Sequence, residues 1–223
     1  MLPSSIFRAL IAVSALGLVL PARSQSVPVN TEIVIQEIKP GFVDTPKLSS
    51  GTYTKKSTGR PGQWLEVEVT FDRNAIPKAP KFSGDLVFTY YLLLKNEGVT
   101  EDRKPTLLTG SVTHVHVPQE KGLHAVAYVS PRTLAKFFDG KIPTNVPQTL
   151  VSVGVEVKDE GGLLAIKTWQ GRLGGTPQAP VGWWTDGAAK YTAVPGFILG
   201  KDKTPFAPLE WDYFEQVKPQ AGN

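Results

Sequence analysis

The three histidines of this 223-residue chain, His114, His116 and His124, all fall within one short stretch. His114 and His116 are two apart in a run that alternates like a strand, which places both on one face. If that run folds back on the next as a hairpin, the register decides what the third imidazole does. Pairing His124 opposite His116 clusters all three in a zinc or copper arrangement, and a slip of one residue turns His124 to the other side. The sequence does not fix the register. Val115 and Val117 read as the core face, the His pair then reads as outward and solvated, and no Asp or Glu sits at ligand spacing beside it. The three histidines are therefore weak metal candidates, and no cofactor is assigned.

The second constellation is aromatic. "VGWWTDG" sets Trp183 and Trp184 side by side between glycines, and neighbours in an extended segment point in opposite directions. One can enter the core while the other stays near solvent, where an indole can stack on a sugar ring or anchor a partner. The alternative is structural: both rings cover the open end of the fold. Carboxylates such as Glu66 and Glu68 alternate with Val67 and Val69, as the wet face of a strand does. The chain has no cysteine, no Ser in a G-x-S-x-G turn and no phosphate-binding loop, because "GRLGG" lacks both the lysine and the preceding strand. No acid–base pair stands out, and the protein is read as a non-enzyme.

The elements that carry these residues have period two. "EIVIQEI" (32–38) and "WLEVEVTF" (64–71) alternate apolar with polar, whereas "DLVFTYYLLLK" (85–95) is apolar on both faces, as a central strand is. Further strands are predicted at 106–117, 123–129, 149–158 and 163–169, with "DEGG" (159–162) as a tight hairpin turn. One helix interrupts them. Ser130 suits the N-cap, Pro131 the first turn and Gly140 the stop, and Leu134, Phe137 and Phe138 form one apolar stripe. Seven strands and a short helical crossover predict an all-β fold, an immunoglobulin-like antiparallel sandwich, with a closed barrel as the competitor.

Between Gln170 and Glu210 lie seven glycines and five prolines, yet also Trp183, Trp184, Tyr191, Phe197 and Phe206. A disordered linker is poor in aromatics, so this long region is read as an ordered irregular loop packed on the sandwich; 39–63 is read as a shorter one. In "KTPFAPLEWDYFEQVKP" the residues Leu209, Trp211 and Tyr213 alternate like a strand, while Leu209, Tyr213 and Val217 recur like a helix; Pro208 tips 209–217 slightly towards helix. Either way the segment should clamp the carboxyl end onto the sandwich.

Export bounds the rest. Arg8, an apolar run of twelve residues and the small residues of "PARS" form a secretory signal ending at Ser24. This divides the chain into a signal at 1–24, one domain at 25–217 and a flexible tail at 218–223. The formal net charge of +4 drops by two when Arg8 and Arg23 leave, too little to argue for nucleic acid. The apolar run is too short to span a bilayer, so the mature chain is read as exported, to the periplasm, the outer surface or the medium.

"FILGKDKTPFAPLEWDYF", together with the leader and the cysteine-free strands, resembles a family of small exported proteins from Akkermansia and related bacteria, encoded beside type IV pilus-like machinery. The likeness is strongest over residues 190 to 216. It implies an immunoglobulin-like fold and a non-enzymatic interaction or structural role in a pilus-like or cell-envelope assembly, with other envelope proteins as partners. It carries no catalytic residues across. The chain departs from a true pilin, since no long apolar amino-terminal helix follows a processing site. The alternative function is a carbohydrate-binding module using exposed Trp183 or Trp184.

Overall fold

The computed structural model describes residues 31–46, 62–96, 104–171, 182–185 and 190–219. The leader at 1–24 and most of the "KKSTGRPG" turn lie outside the described residues. The strands are β1 (Ile33–Asp44), β2 (Gln63–Arg73), β3 (Leu86–Leu94), β4 (Thr106–His114), β5 (Leu123–Val129), β6 (Leu150–Asp159), β7 (Gly162–Gln170), β8 (Thr192–Pro195) and β9 (Ile198–Gly200), with helices α1 (Pro131–Phe137) and α2 (Val146–Thr149) between β5 and β6. They form an all-β sandwich rather than a barrel. A four-stranded sheet in the order β1-β2-β5-β9 faces a five-stranded sheet in the order β7-β6-β3-β4-β8. Every pairing is antiparallel except β4 with β8.

The sequence pattern explains the core. Alternate residues of β2 (Leu65, Val67, Val69, Phe71) and β3 (Phe88, Tyr90, Leu92, Leu94) are almost wholly buried between the sheets, with Val153, Val155 and Val157 of β6 beside them. β3 lies in the middle of its sheet, as an apolar run on both faces requires. In β1 the alternation breaks once. The register slips between Ile35 and Glu37, so Gln36 and Glu37 both face solvent and Ile38 returns to the core. Lys167 Nζ from β7 donates to the carbonyls of Ile35 and Gln36 at 3.0 and 2.6 Å, tying this bulge to the opposite sheet.

Several expectations are corrected here. β1 runs on to Asp44 through the stretch read as a loop from residue 39, because β1 is an edge strand and tolerates Pro40 there. The Gly/Pro-rich region also hides two short strands. β9 reaches the four-stranded sheet by crossing the middle of β4, where Gly110 leaves room: a Cβ at that position would stand 2.7 Å from Ile198 Cβ. Residues 209–217 form neither helix nor strand but a series of turns, with one isolated bridge at Val217. Glu210 has φ +52, a left-handed conformation that stops any helix started at Pro208.

The predicted helix is present: Ser130 caps α1, its Oγ accepting from Thr133 N at 3.2 Å. At the β6–β7 turn Asp159 Oδ1 accepts from Gly161 N and Gly162 N at 2.8 and 3.0 Å, closing the tight hairpin. Among the described residues no helix is long and apolar enough to cross a membrane.

Candidate functional site

The histidines do not converge. β4 and β5 belong to different sheets, so the hairpin that would bring the imidazoles together does not form. The parity of β4 runs Leu108, Gly110, Val112, His114, which turns His114 into the core; beyond it the chain leaves the strand, and His116 sits exposed at φ +56. The outward placement expected for His114 is thus reversed, and His124 lies on the outer face of β5. Among the described residues no group of three His, Cys, Asp or Glu side chains is arranged to hold a metal ion.

Buried His114 has a structural partner. Its Nδ1 lies 3.0 Å from the Glu215 carbonyl, which can only accept, so Nδ1 carries the proton. Nε2 is then buried with no hydrogen-bond partner, and the ring packs edge-on against Phe88. Burial pushes the imidazole down to about 4, against the opposing pull of the Glu215 and Gln216 backbone.

Nor is either tryptophan of the 183–184 pair near solvent. At 5% and 6% exposed, both are sealed against the outer face of the five-stranded sheet. They cover that face, not the open end of the sandwich. A helical turn, not extended backbone, holds them, so the opposite-facing argument does not apply. Trp184 stacks on Tyr91 at 4.7 Å and donates from Nε1 to Glu156 Oε1 at 2.9 Å. Its ring fills the space over Gly154, where a Cβ would stand 2.1 Å from Cζ3. Trp183 packs edge-on against Trp184 and Tyr191.

The aromatic surface lies instead on the opposite outer face, over β2 and β5. Here residues 201–218 form a strap. Phe206 stacks on Tyr128 at 4.6 Å and meets Trp64 edge-on, and Phe214 is buried beside Val126. The end of the strap joins the two sheets: Glu215 N donates to His124 O, while Val115 N donates to Gln216 O and Lys218 N to Thr113 O. Lys218 also pairs with Asp85. Lys218 therefore belongs to the fold and not to a free tail; residues 220–223 lie outside the described residues.

With the two phenylalanines turned in, Trp211 is left 72% exposed and Tyr213 48%. Together with Glu210 and Asp212 they line one shallow concavity. Tyr213 is held: its ring stacks on His124 at 4.1 Å and its hydroxyl donates to Glu68 Oε1 at 2.7 Å, an oxygen that His124 Nδ1 also meets at 2.8 Å. This bond to a carboxylate pushes the Tyr213 phenol up to about 12. Trp211 rests on Lys201, whose buried ammonium lies 5.4 Å from the ring centre. Behind the aromatics, burial and the nearby Glu68 and Glu210 carboxylates hold Glu66 above the ordinary carboxylate range.

Sequence reasoning read Trp211 and Tyr213 as apolar residues needing cover. The available signal was "LEWDYF", a tryptophan with an acid on each side, which suits a wet surface better than a core.

No curated protein matches the chain. The fold is similar to a crystal structure of a protein from Akkermansia muciniphila, with 20% identity, a TM-score of 0.66, and coverage of 85% of this chain and 94% of that one. A protein-family model matches residues 24–221, and the chain belongs to that family.

Proposed function

We propose that the protein is a non-enzymatic interaction module of an exported pilus-like or envelope assembly, with the Trp211–Tyr213 surface as its partner-facing side. The observation that carries this reading is an exposed indole on an otherwise locked segment. Phe206, Phe214, Tyr213 and the strap's backbone bonds are all engaged, so Trp211 is presented on rigid support at low entropic cost. Export is supported by the composition of residues 1–24. The strand order favours an immunoglobulin-like relationship: β1-β2-β5 matches the A-B-E neighbours and β7-β6-β3 the G-F-C neighbours of that fold, with β4 attached beside β3, β8 beside β4 and β9 beside β5.

The test is crosslinking in the native envelope, comparing wild type with Trp211→Ala. A partner captured by the wild type and lost in the variant, with unchanged circular dichroism, is the expected result. Equal capture by both sinks the assignment of this surface. Trp183 and Trp184, the rings that the carbohydrate-binding alternative would use, are 5% and 6% exposed, which supports the protein-partner reading over it.

A further inference from the structure

The chemistry of this surface narrows what it takes. Its open aromatic ring is bordered by Glu210 and Asp212, and Glu66 and Glu68 stand behind it on β2. Glu66, Glu68 and Glu210 are close enough to repel one another. The nearby basic groups are Lys39 on β1, His124 against Glu68, and Lys201, whose ammonium lies beneath Trp211. The surface is thus locally acidic on a chain whose formal net charge is positive. Beneath the strap the hydroxyl of Tyr128, a residue only 1% exposed, lies amid the same three carboxylates, with Glu66 as its hydrogen-bonding neighbour. The carboxylates are not arranged to hold a bare metal ion. One ring face already sits over a lysine ammonium, and an exposed indole has a second face for another.

We infer that the Trp211 surface recognises a lysine- or arginine-bearing segment of a partner protein, the cation seating on the open indole face between Glu210 and Asp212. This rests on the reading of that surface as the partner-facing side. Carboxylates supply charge complementarity and steering, and the ring supplies the anchor.

The test titrates the full chain, by calorimetry, with a short Lys/Gly peptide, its acetyl-lysine form, a Glu/Gly peptide and a neutral oligosaccharide. Selective binding of the Lys/Gly peptide is expected, weakened about threefold to fivefold by either Trp211→Ala or Glu210→Gln. Binding should vanish near 1 M salt, where the Debye length is about 3 Å. Equal binding of the acetylated peptide, or preference for the oligosaccharide, overturns the inference. If the Lys/Gly peptide fails to bind while an envelope partner still crosslinks through Trp211, the cationic chemistry is wrong and the surface assignment stands. If both fail, the surface assignment falls too. Unchanged circular dichroism of each variant separates these outcomes from misfolding.

Discussion

The two outer faces of the sandwich are covered from the same small set of residue types, with opposite results. Over the five-stranded sheet, Trp183 and Trp184 turn inward, stack on Tyr91 and spend the indole N–H of Trp184 on Glu156. Over the four-stranded sheet, Phe206 and Phe214 do the packing, and the tryptophan between them in sequence from the end of the chain, Trp211, is left outside. The difference lies in the support. Gly154 opens a recess that admits a six-membered ring, whereas Trp211 rests on the Lys201 ammonium beside Glu210 and Asp212 with most of its ring in solvent. A tryptophan over a glycine recess is packing, and one over a lysine with its other face open is available for recognition.

The largest expected effect follows directly. Trp184→Ala removes a buried ring and leaves Glu156 without its indole donor, so unfolding should require about 3–5 kcal/mol less free energy. Trp211→Ala should stay within about 0.5 kcal/mol of wild type. Chemical denaturation of the two variants side by side checks this. Similar losses for both would mean that the two faces do not differ as described.

Next is the strap itself. Phe206→Ala deletes the ring stacked on Tyr128 and facing Trp64, at a cost of about 3 kcal/mol. Protease should then cut between residues 201 and 218 before it cuts the sheets. Cleavage first in the sheets would show that the strap does not depend on this anchor.

How far the sequence disclosed this contrast depends on the range of the contacts. β5 matches its predicted span, and Ser130 caps α1 as its position implies, because both signals are local. The fate of the histidines is not local: it depends on β4 and β5 entering different sheets, which no spacing between residues 114 and 124 reveals. β8 and β9 were hidden because strands of three or four residues show too little alternation to detect. β9 exists because Gly110, far away in sequence, makes room for Ile198. The clamp by the carboxyl end was legible from its apolar content. Which aromatics clamp was not, since that choice is made by the outward residues of β2 and β5.

Acid should loosen the carboxyl-end cover before the tryptophan cover, through His114. Its folded value, about 4, lies below the ordinary 6.5. The unfolded chain therefore binds the proton first as pH falls, and the stability that this group contributes is complete above about 6.5 and lost on descent towards about 4. For a fully buried imidazole the total is at most roughly 3 kcal/mol. Denaturant midpoints between pH 7 and pH 4 should fall more steeply for wild type than for His114→Gln. Parallel slopes would show that His114 is not held neutral by the strap. Glu215, held above the carboxylate range mainly by burial, shifts the other way and softens the slope.

The smallest effect tests how firmly the exposed surface is held. Tyr213→Phe keeps the ring on His124 but removes the hydroxyl that donates to Glu68. A half-exposed hydrogen bond to a carboxylate is worth about 1 kcal/mol or less, so global stability should barely change. The effect should appear in Trp211, whose ring should become less ordered by nuclear magnetic resonance, because the turn between Glu210 and Phe214 loses its lateral tie. Unchanged order at Trp211 would mean that Tyr213 is held by stacking alone and that the recognition surface owes its rigidity to Phe214 and the backbone bonds around it.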